Sequence, residues 1–123
     1  MEFRILGLVV ERESQRPVPG LRVRAFDRDL LFSDLLGTAT TDADGSFTIV
    51  YEGKDFQEFF DSRPDLFLEV YAPAQSKTHK GEPLYTTEDA IRWDANRLER
   101  FRLEIPRRSL SAHAPAKDPI SRV

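Results

Sequence analysis

Gly37-Thr-Ala-Thr-Thr-Asp-Ala-Asp-Gly-Ser-Phe-Thr-Ile-Val-Tyr51 decides the fold. A strand-like run, Gly37 to Thr41, meets a polar turn, Asp42-Ala43-Asp44-Gly45, and a second strand, Ser46 to Tyr51, leaves it. An aspartate accepts hydrogen bonds from nearby backbone N–H groups, and glycine takes the positive φ that a tight turn needs. Asp42, Asp44 and Gly45 are therefore structural turn residues, and the stretch is read as a β-hairpin.

Upstream, Phe3 to Glu11 is a strand with Phe3, Ile5, Gly7 and Val9 on one face and Leu6, Leu8 and Val10 on the other. Both faces are largely apolar, which predicts cover on both sides. Gly7 lets a backbone or an aromatic ring approach closely. Arg12 to Gly20 is a loop stiffened by Pro17 and Pro19. Leu21 to Arg28 is a half-buried strand in which Leu21, Val23 and Ala25 alternate with Arg22, Arg24 and Phe26. Asp29 to Leu36 (DLLFSDLL) alternates poorly. It is either a short helical turn or an irregular crossover between sheets. Its leucines fill the sandwich edge, or Leu30, Leu31, Phe32 and Leu35 form an exposed apolar docking surface.

Downstream, Phe56, Phe59 and Phe60 have helical spacing, which predicts one short helix over Lys54 to Asp61. Leu66 to Tyr71 is a strand, Ala72 to Pro83 a polar loop, and Leu84 to Thr87 a short strand. Glu88 to Arg97 is a turn expected to bury Ile91 and Trp93. Leu98 to Ile105 closes the domain with Phe101, Leu103 and Ile105 inward. Residues 1–106 thus form one domain. Residues 107–123 contain Pro115 and Pro119, lack an apolar stripe, and are expected to be a flexible tail. Seven or eight short strands with turn signals between them argue for a mostly β sandwich.

Charge bounds the function. The 123 residues carry 18 basic and 21 acidic side chains, which gives no footprint for nucleic acid. Residues 107–123 hold four basic side chains and one acid, so an acidic body precedes a basic tail. There is no cysteine, hence no disulfide and no thiol nucleophile. The N-terminus lacks the pattern of a signal peptide, and no run approaches membrane-spanning length. Synthesis in the cytoplasm follows as the expectation, with export inside a larger assembly left open.

Three segments resemble the carboxypeptidase regulatory-like, or transthyretin-like, β-sandwich domains. They are Ile5-Leu-Gly7-Leu-Val9, Pro17-Val-Pro19-Gly20-Leu-Arg-Val23, and Gly37-Thr-Ala-Thr-Thr41-Asp42-Ala-Asp44-Gly45-Ser-Phe47. The resemblance covers the first half of the chain. Val23-Arg-Ala-Phe26-Asp-Arg-Asp29-Leu-Leu, Leu36-Gly37 and Pro64-Asp65-Leu66 look like modules of bacterial toxin complexes and contractile-injection spikes. The resemblance implies a transthyretin-like sandwich with an accessory or adaptor role.

No constellation for chemistry stands out, so catalytic, cofactor and metal residues are all expected to be none. Asp42-Ala43-Asp44-Gly45 echoes the start of a calcium loop but lacks its distal glutamate. His79 and His113 are widely separated, a poor basis for a metal site. The iron ligands of intradiol dioxygenases need a close histidine pair, and the Tyr-Arg-Gly-Ser ending of hydroxyisourate hydrolases is replaced here by Ile-Ser-Arg-Val. Trp93 either plugs the sandwich end or stacks with Tyr85 on a sugar ring. The leading expectation is a protein-binding accessory module. Carbohydrate binding and a transthyretin-like hydrolase are the alternatives, and a homodimer through sheet edges is a further expectation.

Overall fold

A computed structural model describes residues 1–29, 32–53, 63–73 and 82–112. They contain β1 (Glu2–Glu11), β2 (Arg22–Arg28), β3 (Ser33–Thr40), β4 (Ser46–Glu52), β5 (Leu66–Tyr71), β6 (Tyr85–Thr86), a 3-10 turn (Glu88–Ala90), β7 (Leu98–Ile105) and α1 (Arg107–Ala112). The strands form two sheets, ordered β4-β1-β7 and β3-β2-β5-β6. All pairings are antiparallel except that of β1 with β7. Apolar side chains from both inner faces build one core, including Ile5, Val9, Val23, Ile49, Leu66, Leu68, Val70 and Ile105. The chain is a mostly β, two-sheet sandwich, as the alternation of its strands predicts.

The deciding stretch holds a correction. The expected hairpin does not pair with itself: β3 joins β2 in one sheet, and β4 joins β1 in the other. Asp42 does reverse the chain. Its Oδ1 accepts the amides of Asp44 (2.8 Å) and Ser46 (3.0 Å), and Gly45 sits at φ 78°. The two sides of the turn are claimed by different sheets. The Thr41 amide donates to the Leu21 carbonyl (2.8 Å), which keeps the end of β3 beside β2. The Gly45 carbonyl accepts from the Val9 amide (2.8 Å), which starts β4 against β1. The turn is an arch between layers. It also explains why glycine stands at 45, since a Cβ there would lie 2.7 Å from the Val9 carbonyl oxygen.

The Asp29 to Leu36 segment is corrected too. Its second half, from Ser33, is strand β3. Ala25 pairs with Gly37 and Phe26 with Leu35, so Leu36 is an extra residue at a bulge. A one-residue insertion reverses the facing of everything beyond it. Leu36 and Ala39 consequently pack on the core, whereas Leu35 is exposed. Leu30 and Leu31 lie outside the described residues, as do the helix expected over Lys54 to Asp61, His79 and His113.

The expected approach to Gly7 is met by the Phe47 ring. Cover on the second face of β1 is uneven: Val10 is buried and bridges to Pro17, whereas Leu6 and Leu8 are half-buried. The start of the expected flexible tail is ordered instead. Residues 107–112 form α1, with Leu110 packed against the core. Arg107 fastens α1 to the end of β1 and the loop after it, its guanidinium donating to Glu11 (3.0 Å) and its amide to Glu13 (2.8 Å). Sequence periodicity could not show this, because one leucine makes no stripe.

Candidate functional site

One end of the four-stranded sheet gathers the features that solvent would not select. The register places the end of β2, the start of β3, the start of β5 and the turn before β7 together there: Arg28 opposes Ser33, Asp27 opposes Leu66, and Leu66 bridges to Arg92. Among the described residues, three large apolar side chains stand out from this end and its adjoining edge: Phe32 at 73% exposure, Leu35 at 55% and Trp93 at 66%. The expectation that Trp93 plugs the sandwich is overturned.

Its exposure follows from how the turn is held. Leu66 and Arg92 exchange both backbone hydrogen bonds (2.9 Å each), and the Ala95 amide donates to the Pro64 carbonyl (2.9 Å). Between these anchors the Asp94 amide donates to Asp65 Oδ1 (3.0 Å), and Asp94 adopts φ 53°. That left-handed conformation is uncommon for a residue with a side chain, though aspartate tolerates it better than most. Ala95 is buried, so the turn is nailed at its far side and Trp93 is left at the apex.

A second brace comes from a buried acid. Glu99 shares the inward parity of Phe101, Leu103 and Ile105, yet it is only 8% exposed. Its carboxylate accepts from the Arg92 guanidinium (2.8 Å) and from the Asn96 amide (2.6 Å). Arg92 also donates to the Arg100 carbonyl (2.7 Å), and its guanidinium lies 3.7 Å from the centroid of the Phe101 ring. Both sides of Trp93 are thus tied to β7. The sequence carried a signal for this: an acid on an apolar strand face needs a partner, and Arg92 stands seven residues away.

Beside Trp93 lies a cleft of ≈ 410 Å³ lined by Arg28, Asp29, Asp65, Ile91 and Trp93. Arg28 is paired with Glu88 at 3.2 Å. Asp27 accepts the Asp65 amide (2.8 Å) beneath it. Burial pushes the Asp27 carboxyl up to about 6, helped by the charges of Asp65, Asp34 and Asp29, against the hydrogen bond from the Asp65 amide. Further inside, Tyr51 stacks on Phe3 with ring centroids 5.2 Å apart. Burial, with the nearby carboxylates of Asp27 and Glu99, raises the Tyr51 hydroxyl. Among the described residues that hydroxyl is a buried group without a hydrogen-bond partner.

The anticipated sites fare unequally. Phe32 and Leu35 are exposed as the docking reading requires, and the Phe32 carbonyl accepts the Asp29 amide (2.8 Å). Tyr85 and Trp93 do not form a stacking pair. Tyr85 opposes Val70 and packs on the core, whereas Trp93 follows the bridge to Leu66. Four residues of extended chain, roughly 13 Å, separate those two positions along β5. At the arch, Asp42 Oδ1 faces two amide hydrogens, the geometry of a turn and not of a cation loop. Among the described residues, no group of three or more acids or histidines could hold a metal ion, and no helix is long and apolar enough to cross a membrane.

No family model and no curated protein matches the chain. Among solved structures, it is similar to the crystal structure of a 9R-lipoxygenase from Cyanothece PCC8801, at 23% sequence identity and a TM-score of 0.60. The match covers 85% of this chain and 16% of the lipoxygenase chain. The chain therefore spans about a sixth of the length of that protein, and at this identity the likeness is one of fold.

Proposed function

We propose that the chain is a non-enzymatic, protein-binding module of the transthyretin-like kind that docks through the end of its four-stranded sheet. The observation that carries this is the exposure of Phe32, Leu35 and Trp93, with Leu35 set outward beside the bulge and Trp93 at the apex of the braced turn. Large exposed aromatics on preorganised backbone suit binding, since little conformational entropy remains to be lost on contact. A role as an accessory part of a bacterial toxin complex or contractile injection particle accords with the resemblance of its first half. The small share of the lipoxygenase chain that this sandwich matches also suits a module carried by larger proteins.

The test is capture from a lysate of the source cells by the full chain and by a Phe32→Ser, Trp93→Ala double variant, with thermal unfolding checked for both. Loss of a defined captured protein from the variant, at unchanged melting temperature, supports docking at this end. Capture of the same protein by both baits would sink it.

A further inference from the structure

The cleft at Trp93 pairs an apolar lining with excess negative charge. Ile91 and Trp93 supply the apolar surface, and Asp29 and Asp65 the carboxylates. More acids stand nearby. Asp34 opposes Asp27 across the β2–β3 pairing, Asp94 follows Trp93, and Glu88 and Asp89 lie in the 3-10 turn. Three basic side chains stand at this end among the described residues, and Arg63 donates to Asn96 Oδ1 (3.4 Å). Arg28 pairs with Glu88, and Arg92 is held by Glu99 and the Phe101 ring. An indole face attracts cations more strongly than any other side-chain ring, and neighbouring carboxylates add to that attraction.

We propose that the Trp93 cleft receives a Lys or Arg side chain, flanked by apolar residues, from a partner protein. The cation would lie over the indole and against the Asp65 carboxylate, while its apolar neighbours cover Ile91 and Phe32. This rests on the docking role proposed above and specifies its partner. Charge complementarity selects this occupant: an anionic lipid surface or an acidic peptide would meet like charge at Asp34, Asp65 and Asp94.

Trp93 is the only tryptophan of the chain, so its fluorescence reports directly on the cleft. The full chain is titrated with the peptides Ac-Leu-Arg-Leu-NH2 and Ac-Leu-Glu-Leu-NH2, and with phosphatidylserine vesicles. The arginine peptide is expected to give a saturable change that weakens as salt is raised. Asp65→Asn keeps an oxygen for the Asp94 amide and so preserves the turn, and it should weaken binding by about five-fold. By calorimetry, Trp93→Leu should weaken it similarly, and Trp93→Phe less.

An equal response to the glutamate peptide, a response to vesicles alone, or unchanged affinity in Asp65→Asn would each overturn the proposal. So would self-association on sedimentation that Trp93→Leu abolishes, because the occupant would then be a second copy of this chain. The two readings fail separately. Arginine-peptide binding with capture unaffected by the double variant would leave the cation site and remove the docking role. Capture lost without any peptide response would do the reverse.

Discussion

The ring of Phe47 lies directly on the backbone of Gly7, where a Cβ would stand 2.1 Å from the nearest ring carbon. The two residues oppose each other across the β1–β4 pairing, and Phe47 is buried. The missing side chain at position 7 is therefore the space that the ring fills. Gly7→Ala should destabilise the fold by about 1–3 kcal/mol through overpacking, as read from the chemical denaturation midpoint. Gly20→Ala is the contrast. It has a positive φ of 81° and open space around its Cβ position, so its cost is conformational alone. A Gly7→Ala variant as stable as the parent would mean that the Phe47 ring moves aside at no cost.

Thr41 is the polar pin of the arch. It is buried, its hydroxyl donates to the Val18 carbonyl (2.8 Å), and its Oγ1 accepts the Leu21 amide (3.0 Å). Thr41→Val keeps the shape and removes both bonds, leaving a buried amide and carbonyl without their partner. Unfolding free energy should fall by about 1–3 kcal/mol, and Thr41→Ser should recover most of it. If the two variants unfold alike, packing of the methyl group outweighs the hydroxyl.

The sandwich was legible in the sequence because strand alternation reports burial directly. Val23 and Ala25, alternating with Arg22 and Arg24, could face the core in only one way. Which sheet each strand joins was not legible. An Asp-Gly turn closes a hairpin and an arch with the same local hydrogen bonds, and the difference lies in distant partners, Leu21 and Val9. The facing of Leu35 was hidden for a related reason. The bulge at Leu36 changes parity, and the Gly37 beside it reads equally well as an ordinary strand residue. The apolar patch was half visible, since Phe32 and Leu35 read equally well as edge filler. Trp93 was misplaced because a tryptophan in a short turn is ordinarily an anchor. Its exposure is set by Asp65, Ala95 and Glu99, which hold the backbone on either side.

Tyr51 carries a polar group where the core offers it nothing. Its ring packs on Phe3, while its hydroxyl has no hydrogen-bond partner among the described residues. Tyr51→Phe keeps the stacking and removes the desolvated oxygen. It should leave stability unchanged or raise it by about 1 kcal/mol. Thermal unfolding of the two proteins in one buffer checks this. A clear loss on removing the hydroxyl would show that it holds a bond in solution.

Asp27 sets a pH dependence of known sign. Folding raises its carboxyl from 3.8 to about 6, chiefly through burial. Between those values the folded state binds more protons than the unfolded chain, so stability falls as pH rises through the window, and the penalty is complete above about 6. Asp27→Asn keeps an oxygen to accept the Asp65 amide and abolishes the titration. The variant should be more stable than the parent at pH 7.5, and the two should converge towards pH 4. Glu11 does not confuse the comparison. Its carboxyl is held below 4.5 by the Arg107 hydrogen bond, so its contribution is lost only as pH falls through that lower value. Asp27 is one hydrogen bond from Asp65, which in turn holds the Asp94 amide beside Trp93. Hydrogen exchange at the Asp65 amide should therefore quicken, relative to amides away from this end, in the wild-type chain as Asp27 protonates and accepts more weakly, after correction for intrinsic exchange. In Asp27→Asn that additional quickening should vanish, and if it persists the carboxyl of Asp27 is not its source.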